Sequence, residues 1–217
     1  IPTKPIPVTW CAHIHNPLRV SDGAIGCIEV ESDDLLSGNW ITKVTSKQPI
    51  LAAYIDPPVG MSITNLVSRL ATLLPRLFTA KRGYLFIWTP RAQMATLMKE
   101  ADRKLGFKYV ENLCWIKKGL NSRILATNEG GILADSKQTL LILKGDPSNT
   151  IKLRHQRNPD CIFDYCVQGR KPDARVYDVI ETLIKPTRED SIEPYLVHLW
   201  AGSSPTDRLV LQSRNLW

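Results

Sequence analysis

The chain has 217 residues and 43% hydrophobic content, enough for one α/β domain with a sizeable core. Its 28 Lys and Arg against 21 Asp and Glu leave a formal net charge of +7, which suits a phosphate-rich partner and is equally compatible with ordinary solubility. No apolar stretch approaches the roughly 18 residues of a membrane span, no signal peptide is evident, and no CxxC pair stands at zinc-ligand spacing.

Cys11, Cys27, Cys114, Cys161 and Cys166 make an odd set and read as reduced thiols, mostly small core residues. The chain opens at Ile1 rather than Met, so a fragment of a longer protein is expected. Residues 1–9 carry three prolines and read as an extended arm on a single domain spanning 1–217. Residues 10–14 read as a short strand with His13 and His15 on one face. With no third ligand nearby they make a polar face, not a metal site. Residues 25–30 read as a strand, and Gly23 and Gly26 do not form a dinucleotide fingerprint.

Residues 50–55, Ile-Leu-Ala-Ala-Tyr-Ile, are uncharged and read as a strand buried on both faces. The strand stops at Asp56-Pro57-Pro58, because two prolines cannot donate to a ladder. One carboxylate is thereby presented at the carboxyl end of a central strand, where ligands bind in open α/β sheets. A strand followed by a Pro-rich turn gives the same short motif without any function. After Val59 and Gly60 a helix begins almost at once, with Ser62 as N-cap and Leu66, Leu70, Leu73, Leu74 and Leu77 as its core face. Pro75 is expected to kink or end it.

Residues 84–89 form a second buried strand, and Pro90 is placed as the first residue of a helix ending at Gly106. Residues 109–116 are a third strand. Residues 117–135 are a long loop carrying Lys117, Lys118 and Arg123. Residues 138–143 are another strand. Between 150 and 175 stand Lys152, Arg154, Arg157, Arg170, Lys171 and Arg175 against Asp160, Asp164 and Asp173; phosphate contact and a solvated face both remain open. Residues 161–167 read as a strand, 173–184 as a helix with Val176, Ile180, Leu183 and Ile184 inward, 195–200 as a strand and 209–211 as a last short one. Trp88 and Trp115 lie in apolar strand contexts and read as core residues.

Asp56-Pro57-Pro58 at the end of an apolar strand, the run 83–88, the block 111–117, the strand 137–145 and Lys171-Pro172 before a helix come in one order and spacing. In that pattern the chain resembles the eukaryotic adenine methyltransferases of the mRNA-methylase type, whose motif is Asp-Pro-Pro-Trp and which make N(6)-methyladenine in RNA or DNA. The resemblance runs from about Trp10 to the C-terminus. It implies a Rossmann-like, S-adenosylmethionine-dependent methyltransferase fold, with a mostly parallel central sheet and helices on both faces. It also implies a nuclear setting. The departure is at the motif itself, whose fourth residue is Val59 rather than an aromatic.

Methylating an adenine amine needs a carboxylate and a carbonyl to accept its protons, an aromatic wall to hold the base, and an in-line methyl donor. Asp56 and the Pro57 carbonyl meet the first need. Val59 has no π-face, and the missing stacking, about 1–3 kcal/mol per base, costs roughly ten- to a hundredfold in binding. The resemblance places a closing loop between motif and helix, which is nearly absent here. It also places an Arg, a His and an Asn after the last long strand to grip the cofactor, where this chain has Trp200-Ala201-Gly202-Ser203-Ser204; its end reads Ser213-Arg214-Asn215 in place of an Asn-Gln pair. Lys171 matches a cofactor-contacting lysine and is the candidate remnant of that site.

These losses imply a degenerate subunit, resembling the partner in ciliate DNA-adenine methylase complexes. It is expected to bind no cofactor itself, to pair with an active subunit that holds S-adenosylmethionine, and to help carry nucleic acid, DNA before RNA. The expected contacts are Lys117, Lys118, Arg123, Lys152, Arg154, Arg157 and Arg170. Two other readings stay open: a catalyst in its own right using Asp56 with Trp88 or Trp115 swung in to stack, and a nucleic-acid-binding module without a methylase partner.

Overall fold

The structure is a computed structural model and describes residues 27–30, 41, 50–119, 122–126, 132–145, 151, 153, 158–166, 171–184 and 196–200. The readings placed on 1–26, on Lys152, Arg154, Arg157 and Arg170, and on everything after Trp200 lie outside these residues.

The described strands are β1 (Cys27–Val30), β2 (Ala52–Ile55), β3 (Gly83–Thr89), β4 (Lys108–Lys118), β5 (Lys137–Gly145), β6 (Cys161–Tyr165) and β7 (Leu196–Leu199). They form one sheet in the order β1-β7-β2-β3-β5-β4-β6. Only β5 runs against the rest, pairing antiparallel with β3 and β4. The other pairings are parallel. Uninterrupted apolar runs make β2 and β3 the buried centre, as parallel strands covered on both faces require.

The helices are α1 (Ile63–Leu77), α2 (Met94–Glu100) and α3 (Asp173–Leu183). The period of two along each strand splits the core. Ala53, Ile55, Leu85, Ile87, Leu141 and Val197 face α1 and α2. Ala52, Tyr54, Phe86, Leu140, Ile142 and Leu196 face Val176, Tyr177 and Ile180 of α3. The helices therefore sit on both faces, α1 and α2 on one and α3 on the other.

Ser62 caps α1 as expected, its hydroxyl oxygen accepting from the Asn65 N–H at 3.3 Å. Pro75 does not end the helix, which continues to Leu77. Only the final turn lies beyond the proline, so a single lost backbone bond near the frayed end is tolerated. Pro90 is extended, with ψ 141, and precedes a 3₁₀ turn over Arg91–Gln93 rather than opening the helix. α2 runs on into a π-helical turn over Ala101–Leu105, closed by Gly106 at φ 75. Cys114, Cys161 and Cys166 are half-buried free thiols rather than fully buried ones, and Cys166 packs against the core on the α3 side. Among the described residues no helix is long and apolar enough to cross a membrane. Nor do three His, Cys, Asp or Glu side chains gather at one point.

Candidate functional site

The end of β2 is tied across the sheet before it turns. The Asp56 N–H donates to the Leu199 carbonyl at 3.2 Å, so the carboxylate sits between the carboxyl ends of β2 and β7. The Lys171 ammonium donates to Asp56 Oδ1. About a fifth of each side chain is exposed, 20% for Lys171 and 23% for Asp56. The same ammonium lies 5.8 Å from the centre of the Trp88 ring.

Lys171 is aimed by what lies beneath it. Asp173, the first residue of α3, accepts a hydrogen bond from the Tyr54 hydroxyl. That hydroxyl in turn accepts from Trp88 Nε1–H at 2.7 Å. Burial first, then the charges of Asp173 and Asp56, push the Tyr54 phenol well above its ordinary pKa and keep it a hydroxyl. Next to it on β7, His198 is 2% exposed. Its ring centre is 4.2 Å from that of Tyr54, and its Nδ1 is 2.6 Å from the Tyr177 hydroxyl. Nε2 finds no hydrogen-bond partner among the described residues. Burial, helped by the Lys171 charge, lowers the His198 pKa to about 3, so the imidazole is neutral.

The chain after Pro57-Pro58 folds back tightly. The Met61 N–H donates to the Pro58 carbonyl at 3.1 Å. Gly60 has φ 85, the left-handed region that a glycine enters without cost. Val59 at the tip is fully exposed, at the mouth of the adjoining cleft. Ser62 then starts α1.

Beside this turn, on the α1/α2 side of the carboxyl edge, a cleft of about 580 Å³ opens. Its inner walls are apolar, with Pro57, Pro58, Met61, Ile63, Leu66 and Met94. Thr89, Asn112, Cys114 and Thr139 form the sheet side, while Gln93 and Gln138 add amides. Arg91, Lys117, Lys137 and Lys171 bring four cations against the one carboxylate of Asp135. The antiparallel course of β5 explains the convergence: its first residues, Lys137 to Thr139, lie against the carboxyl ends of β3 and β4. Asp56 does not line this cleft.

Of the basic residues read from the sequence, Lys117 and Lys171 line the cleft. Lys118 is turned away, 4.9 Å from the centre of the Tyr165 ring, and Arg123 is exposed in the loop beyond. Trp88 and Trp115 are buried as expected, Trp88 also forming part of the cleft wall. Arg91, Lys137, Gln93 and Gln138 were not anticipated. Arg91 carried a usable signal, since it directly follows a buried strand and its proline stop, and so falls at the ligand-binding edge. A second feature is apolar. Ile124 and Leu125 in the loop, with Phe163 and Tyr165 on β6, are large hydrophobic side chains exposed near the β4–β6 edge, and Ile132 and Leu133 farther along the loop are exposed as well.

The family model described as MT-A70 matches residues 63–204, beginning at the first residue of α1. No curated protein matches the sequence. Among solved structures, the crystal structure of the M1.HpyAVI–SAM complex superposes with a TM-score of 0.54 at 11% identity, covering 88% of this chain and 99% of that one. The crystal structure of M1.HpyAVI gives a TM-score of 0.53 at 12% identity, covering 87% and 98%. At such identities the likeness establishes the fold, that of an S-adenosylmethionine-dependent methyltransferase.

Proposed function

The chain belongs to the MT-A70 family, and from that premise we propose that it is a non-catalytic subunit of an adenine N(6)-methyltransferase complex, paired with an active member of the family and helping to bind the nucleic acid. The observation that carries this reading is the Asp56–Ser62 turn. At the position after the two prolines, where a base must be walled, stands a fully exposed Val59. The hydrogen bond from Met61 to Pro58 ties the turn directly to α1 and leaves no length for a closing loop. Trp88, which lines the cleft beside the motif, is held in the core by its bond to Tyr54.

Charge supports the same reading. The open cleft beside the motif is lined by Arg91, Lys117, Lys137 and Lys171 against Asp135. Lys171, the remnant of the cofactor grip, is already engaged by Asp56. The excess of cations suits polyanionic nucleic acid, DNA before RNA on the resemblance. The pairing reading draws on the exposed Ile124, Leu125, Phe163 and Tyr165 beside β4 and β6, apolar side chains of the kind that mark a protein interface. A nuclear location follows from the same reading.

Calorimetric titration of the purified chain with S-adenosylmethionine tests it. No binding heat is expected in the micromolar range, and the chain alone transfers no methyl group to an adenine oligonucleotide. The active subunit is expected to co-elute with it and to gain activity. Micromolar binding of the donor, or methylation lost in Asp56→Ala, would establish the alternative of a catalyst in its own right. A chain that stays monomeric beside active family members, yet binds nucleic acid with a steep salt dependence, would be the plain binding module.

A further inference from the structure

We infer that Cys114 and Cys161 form a reversible oxidation site, a thiol pair that a hydroperoxide closes into a disulfide strapping the outer strand β6 to β4. The inference rests on the β4–β6 end of the sheet alone and does not depend on what the chain binds.

Pairing and pleat bring the two sulfurs to one place. Cys114 and Cys161 stand opposite each other in the parallel register of β4 and β6. The Cys114 N–H donates to the carbonyl of Asp160, the residue just before Cys161, at 2.7 Å and fixes that register. Neighbouring strands run about 4.7–4.9 Å apart, inside the roughly 4.4–6.8 Å between Cα atoms that a disulfide spans. Side chains alternate along a strand, and Leu113, Trp115 and Ile162 all belong to the α3-side core. Cys114 and Cys161 therefore share the opposite face, where Cys114 forms part of the cleft wall. Both are half-buried free thiols. Cys166, beyond the end of β6, packs on the α3 side and lies on the wrong face to compete.

The surroundings give the two thiols different parts. Asn112 Nδ2–H donates to Cys114 Sγ at 3.7 Å, and the Tyr109 hydroxyl holds that amide by donating to Asn112 Oδ1 at 2.7 Å. The sulfur on the cleft wall is thus held in one direction. Cys161 is kept a thiol. Burial first, then the charge of Asp160, push its pKa up; its S–H donates to that carboxylate, and Cys114 is close enough to add to the shift. A hydroperoxide entering the cleft therefore meets Cys114. The sulfur takes one peroxide oxygen, the O–O bond breaks, and the other oxygen leaves with a proton as water or an alcohol. The Cys161 sulfur then attacks the Cys114 sulfenic acid. The S–S bond forms as the S–O bond breaks, and the hydroxyl leaves with the Cys161 proton as water. The pair gives up two hydrogens and two electrons to the peroxide. A dithiol reductant returns them by exchange.

The test treats the full chain with hydrogen peroxide, alkylates the remaining thiols and maps the peptides by mass spectrometry, for the wild type, C114S, C161S and C166S. Circular dichroism checks that each variant is folded. The wild type is expected to lose two alkylatable thiols and to give a peptide joined through Cys114 and Cys161, which dithiothreitol returns to free thiols. C166S is expected to behave in the same way. C161S stops at a sulfenic acid on Cys114, trapped by dimedone, and C114S leaves Cys161 open to alkylation. Because the strands are already in register, the oxidised wild type keeps its circular dichroism and melts no lower than the reduced chain. No joined peptide in the wild type, a bond through Cys166 or between two chains, equal dimedone trapping in the wild type and C161S, or a fall in melting temperature on oxidation overturns the inference. The wild-type map decides by itself if a variant fails to fold.

Discussion

His198 ties the buried network to pH. Its pKa in the folded chain is about 3 against an ordinary 6.5, because burial and the Lys171 charge disfavour the imidazolium. The unfolded chain therefore takes up a proton that the folded chain refuses. Stability is fully present above pH 6.5 and is lost as pH falls from 6.5 toward 3. Linkage over that window gives a loss of about 2 kcal/mol at pH 5 relative to pH 8, with a slope near pH 5 of about 1.3 kcal/mol per unit. The assay is urea unfolding, followed by tryptophan fluorescence, at pH 8, 6 and 5 for the wild type and His198→Gln. The variant cannot titrate there and is expected to lose about 2 kcal/mol less than the wild type across the range. Parallel pH profiles for the two proteins would refute the argument, as would an imidazole NMR titration near 6.5 assigned to His198.

Two substitutions probe the same architecture elsewhere. Tyr54→Phe removes the hydroxyl that bonds both Trp88 and Asp173, leaving a buried indole N–H unpaired; a loss of about 1–3 kcal/mol is expected in urea unfolding, and a change below about 0.5 kcal/mol would sink the proposed linkage. A Cβ added at Gly83 would overlap the Phe78 ring, which is itself buried against Phe107. Gly83→Ala is therefore expected to cost about 1–3 kcal/mol by overpacking, and an unchanged melting temperature would show that the ring yields freely.

Much of the fold was legible because its signals are local. The run Ile-Leu-Ala-Ala-Tyr-Ile followed by Asp56-Pro57-Pro58 announced a buried strand and its end, since prolines cannot extend a ladder. The leucines of α1 and its Ser62 cap were readable for the same reason, a fixed period beginning at a fixed chemistry. The start of α1 almost at once after Val59 and Gly60 also followed from the short distance between the prolines and the cap.

What sequence alone decided about this chain was where most of the described strands and helices lie and which carboxylate is presented at the sheet edge; the resemblance added which residue stands in the place of a stacking aromatic. The tertiary structure decided which distant residues share a wall. β5 enters antiparallel between β3 and β4, and only that choice of direction brings Lys137 and Gln138 across from the ends of the neighbouring strands. Tyr54 reads locally as one more apolar strand residue, yet its hydroxyl joins Trp88 on β3 to Asp173 on α3 and so aims Lys171 at Asp56. Local propensity depends on neighbours along the chain. Strand order, direction and side-chain networks depend on which surfaces can be buried together, and segments far apart in sequence settle that jointly.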